Sequence, residues 1–83
     1  MDNIWTELIG KRKNFKWYER IKFLRRFNNW SIKEVAEKCI TTEKAWWSWE
    51  NGLVTPTSRN KKVIASIFDM DEKIIFGEIS SFS

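Results

Sequence analysis

The sequence contains no histidine and a single cysteine, Cys39. Those two shortages remove a good deal of chemistry. No intramolecular disulfide can form, and a Cys/His zinc site is excluded. Histidine acid–base catalysis is excluded as well. Cys39 has no histidine to activate it as a nucleophile and reads as a buried core thiol. Proline occurs once, at Pro56, and glycine only three times. No glycine-rich loop that could cradle a phosphate is present. Apolar runs stop at three or four residues, far short of the roughly 20 needed to cross a bilayer. The N-terminal stretch MDNIWTELIGKRK starts acidic and lacks an apolar signal core. These absences argue against an enzyme, a metalloprotein and a membrane protein. The sequence implies no cofactor, no metal and no small-molecule substrate, and a cytoplasmic address is the default.

What is present is bulk and positive charge. Eighty-three residues fit one domain with a modest core. Six Trp and six Phe compensate by burying large areas per residue. With 42% hydrophobic and 31% charged residues, the chain is globular rather than disordered. The net charge of +4 is unevenly spread. Lys11, Arg12, Lys13, Lys16, Arg20, Lys22, Arg25 and Arg26 lie together against one acid, Glu19. Arg59, Lys61 and Lys62 form a second cluster. A segregated basic face is the footprint of a polyanion binder. An ordinary solvated face is the competing reading.

Periodicity predicts helices throughout. Asn3 to Gly10 fits a short helix with Ile4, Trp5, Leu8 and Ile9 on one side. In WYERIKFLRRFNNW, Trp17, Ile21 and Leu24 mark one face, and Phe23 and Phe27 a second beside it. That width predicts that the N-terminal segment packs on the Phe23/Phe27 side. Asn29 is a suitable stop, because Asn tolerates the left-handed conformation. Ser31 with Glu34 forms a capping box for the next helix, IKEVAEKC, with Val35, Ala36 and Cys39 facing inward. Thr42 caps a third helix through EKAWWSWEN to Gly52. Two short helices joined by three or four residues have helix-turn-helix spacing. After LVTPTS, a fourth helix from Thr57 or Ser58 carries Val63, Ile64, Ile67 and Phe68. A fifth, from about Asp71, carries Ile74, Ile75 and Phe76 and ends at Gly77. The expected fold class is an all-α, compact five-helix domain over 19–78. An N-terminal extension, a short helix plus a basic segment, covers 1–18, and a disordered tail covers 79–83.

These pieces, in this order, resemble the lambda-repressor-like (Cro/repressor, XRE-type) helix-turn-helix domains. RIKFLRR resembles the family's first helix and SIKEVAEKC its second. TTEKAWWSWENG resembles the recognition helix with its closing W-E-x-G, TPTSRNKKVIASIF the proline-led fourth helix, and EKIIFGE the fifth. Three positions depart from the family pattern. Ile32 stands where Gln is usual after the second helix cap. Ile40 stands where the turn usually has Gly, which predicts a right-handed or extended turn, since a β-branched residue at positive φ is an outlier. Trp47 replaces the usual polar residue of the recognition helix.

The resemblance implies a DNA-binding transcriptional regulator of the prokaryotic or phage-encoded kind. Its partners would be double-stranded DNA and, as a homodimer, a second copy of itself. The base-facing residues are then Glu43, Lys44, Trp47 and Ser48. Thr42 and Asn51 fall where the family contacts phosphate, and Arg59, Asn60 and Lys61 lie near where it grips the backbone. Lys11 and Lys13 would act as a basic arm. Trp46 and Trp49 face inward, and Glu50 matches an acidic position that is structural. An alternative follows from the departures. Ile32, Trp47 and a recognition helix with Glu43 and Glu50 against Lys44 suit a protein-binding modulator or antirepressor with Trp47 as its anchor.

Overall fold

The computed structural model describes residues 15–77. The Asn3–Gly10 helix, the Lys11–Lys13 arm, the packing of the N-terminal segment and the tail from 78 onward lie outside the described residues. The described residues form five helices in succession: α1 Trp17–Phe27, α2 Ile32–Lys38, α3 Glu43–Glu50, α4 Ser58–Ile67 and α5 Glu72–Phe76. The described residues contain no strand.

Four of the five described helix starts are set by short polar side chains, while α1 begins after Lys16, whose N–H donates to the Glu19 carboxylate at 2.8 Å. Ser31 Oγ accepts from Glu34 N–H at 3.0 Å, and the Glu34 carboxylate accepts from Ser31 N–H at 2.8 Å. This is the expected capping box, and it holds the exposed Glu34 carboxyl below its usual range, mainly through the hydrogen bond from the Ser31 backbone. Thr42, Thr57 and Asp71 accept in the same way at the starts of α3, α4 and α5.

The helix ends share one device. After α1, α2, α3 and α4 a residue with positive φ is followed by one whose N–H reaches back five residues. The pairs are Asn29 with Trp30→Arg25, Ile40 with Thr41→Ala36, Gly52 with Leu53→Ser48, and Asp69 with Met70→Ala65. This is the Schellman motif, which normally takes glycine at the left-handed position. Here only one of the four is glycine. Ile40 has φ 55°, so the expected right-handed or extended turn is wrong. The back-bonds that close α2 require the left-handed conformation, and they outweigh the steric preference of a β-branched side chain. Gly52, at φ 70°, is needed twice over: a Cβ there would also come within 2.9 Å of the Tyr18 ring.

The core lies where α1, α3 and α5 meet, with α2 packed on α3 and α4 on α5. Ile21, Leu24, Val35, Trp46, Ile64 and Ile75 are fully buried at its centre. Trp46 meets Trp49 edge-on at 5.7 Å, and Trp30 stacks on Phe68 at 5.5 Å. Cys39 is buried with them, and loss of solvent pushes its thiol up to about 11. It is a packing residue. Ile75 also belongs to the core, while Ile74 and Phe76 are partly buried against it.

Candidate nucleic-acid interface

The connection from α2 to α3 runs through Cys39, Ile40, Thr41 and Thr42, which gives the expected helix-turn-helix spacing. Successive α3 residues are about 100° apart, so its eight residues divide between core and solvent, with Ala45 and Ser48 in between. Trp46, Trp49 and Glu50 are buried. Glu43, Lys44 and Trp47 are exposed, and Ser48 is half-buried. Of the residues expected at base edges, Glu43, Lys44 and Trp47 thus share the outward surface, with Ser48 at its margin. Thr42 begins the helix as its cap. Asn51 ends it, with Nδ2 donating to the Trp47 carbonyl at 2.8 Å.

Glu50 fixes α3 against α1. Its carboxylate accepts from Arg25 Nε and, at 3.2 Å, from Arg25 Nη2. Trp46 Nε1 donates to the same carboxylate. Arg25 Nη1 also donates to the Trp30 carbonyl at 2.9 Å. A buried carboxylate is tolerable only when paired and hydrogen-bonded in this way. The structural role expected of Glu50 is therefore visible in its partners. One expectation changes as a result. Glu43 and Glu50 against Lys44 make α3 net negative by composition, but Glu50 is neutralised by Arg25. The exposed charges of α3 are Glu43 and Lys44, and they cancel.

The basic face is also smaller than its sequence suggests. Arg20 is buried, and its Nη1 donates to the carbonyls of Ile75 at 2.7 Å and Gly77 at 2.8 Å. It ties α1 to the end of α5, and burial lowers its pKa. Arg25 is committed to Glu50. Lys16, Lys22 and Arg26 remain exposed on this stretch. Lys22, Arg26 and Asn51 line one groove of about 650 Å³ between α1 and the end of α3. In α4, Arg59 is exposed, while Asn60 and Lys61 are half-buried. Lys61 Nζ lies 5.5 Å from the centre of the Phe76 ring, and Lys62 pairs with Glu72 at 3.5 Å. Lys11 and Lys13 lie outside the described residues.

The ties made by Arg20 and Arg25 were missed in the sequence because both were read as part of one charge run. A signal existed for the second. Glu50 lies four residues after Trp46, which places it on the inward side of α3, where a carboxylate requires a cationic partner. Arg20 carries a similar signal, three residues after Trp17 and four before Leu24 on the inward side of α1, but its acceptors are backbone carbonyls more than fifty positions away, which no spacing announces.

Among the described residues, no helix is long and apolar enough to cross a membrane. Comparison with curated proteins and with solved structures gave no significant match. A family model described as a helix-turn-helix domain matches residues 18–77, from the first turn of α1 to the end of α5. Such a domain suggests DNA binding and makes DNA the expected partner. The span of that match and the all-α five-helix order agree, and the chain belongs to the helix-turn-helix domain family of the XRE/Cro-like type.

Proposed function

We propose that this chain is a DNA-binding transcription regulator that lays α3 in the major groove. The observation that carries the reading is the outward surface of α3. Glu43 and Lys44 are exposed at its first turn and make no ion pair or side-chain hydrogen bond among the described residues. Lys44 suits guanine O6 and N7, and Glu43 suits the cytosine amino group. Trp47 and Ser48 extend the base-facing set. Thr42, Asn51, Arg59, Asn60 and Lys61 supply phosphate contacts, with Lys11 and Lys13 beyond the described residues. As a homodimer the protein would read two half-sites about one helical turn apart.

A titration of the full chain against random duplex, followed by fluorescence anisotropy, tests the reading. Binding should weaken steeply between about 50 and 200 mM salt as counterions return to the phosphates. No binding to any duplex at the lower salt would end it. The second reading, a protein-binding modulator, is favoured by one observation. Of the five exposed large hydrophobic residues among the described residues, four lie in or beside the helix-turn-helix: Ile40, Trp47, Leu53 and Val54. Under that reading Trp47→Ala leaves DNA affinity unchanged.

A further inference from the structure

Ile40 does nothing for the fold that its backbone alone would not do. It is 93% exposed and sits at φ 55°. The left-handed region costs an ordinary L-residue roughly 1–2 kcal/mol. Glycine would occupy the same position without that strain, and no buried contact repays isoleucine's presence. Trp47, two helical turns of sequence further on, presents a half-exposed indole on the outward side of α3. Its ring enters no aromatic contact or hydrogen bond with another described side chain. Strain together with exposed apolar area at Ile40, and exposed apolar area at Trp47, are a reason to look for a partner group.

We propose that the helix-turn-helix reads thymine 5-methyl groups, with Trp47 as the specificity-determining residue and Ile40 as a second apolar contact at the leading end of α3. The proposal rests on the DNA-binding reading above. Its chemistry is restrictive. The thymine methyl is the apolar group that an unmodified base pair offers in the major groove. An indole has one N–H donor and no acceptor, so most of its area suits a methyl rather than a polar edge. The neighbouring groups do not oppose entry into the groove. Glu50 is buried against Arg25, and the exposed Glu43 and Lys44 cancel. A polar–apolar surface of this kind matches a site in which thymine stands beside guanine and cytosine, read by Trp47, Lys44 and Glu43 respectively.

The test begins with selection of a bound site from random duplex by the full chain. Each thymine of that site is then replaced by deoxyuridine, which removes only the methyl group. At one or more positions affinity should fall about four-fold, the worth of one buried methyl at ~0.8 kcal/mol. In Trp47→Ala that sensitivity should vanish, with affinity for the thymine site down about thirty-fold, as for a hot-spot residue. Ile40→Gly separates a binding role from a structural one. It should raise thermal stability while lowering affinity several-fold. If deoxyuridine is tolerated at every position by a chain that still selects a specific site, the inference is overturned and the DNA-binding reading stands. If Trp47→Ala binds DNA as well as the natural chain, the indole belongs to a protein interface and the inference is again overturned. Failure to bind any duplex removes both.

Discussion

The inward and outward surfaces of α3 are made by the same eight residues and contain adjacent tryptophans, yet they answer to different constraints. Trp46 is wholly buried, with its N–H bonded to Glu50 and its ring against Trp49. Trp47, one position on, is half-exposed. On the inward surface each group has a partner: Glu50 has Arg25 and Trp46, and Arg25 also has the Trp30 carbonyl. The outward surface carries Glu43, Lys44 and Trp47, to which the described residues supply no such partners. The comparison separates what holds α3 in place from what α3 presents. A rigid helix anchored on one side is what pre-positioned recognition requires.

Truncating the two tryptophans breaks the comparison most directly. Trp46→Ala should cost about 3–5 kcal/mol of stability, as large aromatic truncations in cores do. In a domain of this size that lowers Tm by more than 10 °C. Trp47→Ala should change stability by about 1 kcal/mol or less, with its effect seen in binding. Parallel urea melts check the pair; similar losses for both would show that the two surfaces are not distinct. Somewhat smaller is the effect of removing the anchor. Arg25→Met leaves Glu50 without its cation and should destabilise by about 3 kcal/mol. Glu50→Gln in the Arg25→Met background should recover part of that loss, and a double-mutant cycle over the four proteins measures the coupling.

The two left-handed caps that bracket α3 sharpen the contrast with effects of opposite sign. Ile40→Gly should stabilise by roughly 0.5–1 kcal/mol, because relief of strain exceeds the added freedom of the unfolded chain. Gly52→Ala should destabilise by more than about 1 kcal/mol, since φ is 70° and Tyr18 occupies the space. Thermal unfolding of both variants decides it.

The smallest effect lies at the capping box of α2. The folded state holds the Glu34 pKa below its unfolded value of 4.5. Its contribution is therefore complete above that value and is lost as pH falls through the folded pKa. Glu34→Ala should flatten the fall of Tm between about pH 5 and pH 3, measured against the natural chain. An unchanged acid profile would remove the capping box from the account.

Much of the fold was legible because its signals are local. Ser31, Thr42, Thr57 and Asp71 announce helix starts by their own side-chain chemistry, and Trp17, Ile21 and Leu24 mark a face by spacing alone. The helical repeat puts Trp46 and Trp49 on one face and Trp47 off it, and the family resemblance makes that face the inward one. The family resemblance then placed Glu43, Lys44, Trp47 and Ser48 as a set. Local rules failed at Ile40. Side-chain shape forbids what the backbone hydrogen bonds of the turn demand, and only the folded chain shows which wins. They failed again for charge. A list of lysines and arginines cannot distinguish Arg26, in solvent, from Arg20 and Arg25, which are committed to partners on other helices.

The sequence by itself determined the helix-turn-helix at residues 31–50: its N-caps, its spacing and which tryptophans share a face, because each depends on neighbours within about one helical turn. Only the tertiary structure decided what α3 offers to a partner. Pairing of Glu50 with Arg25 brings the exposed charge of the helix to zero, and that pairing joins residues from two helices that sequence distance keeps apart. Coulombic and desolvation energies depend on position in space, and position is settled only when the core closes.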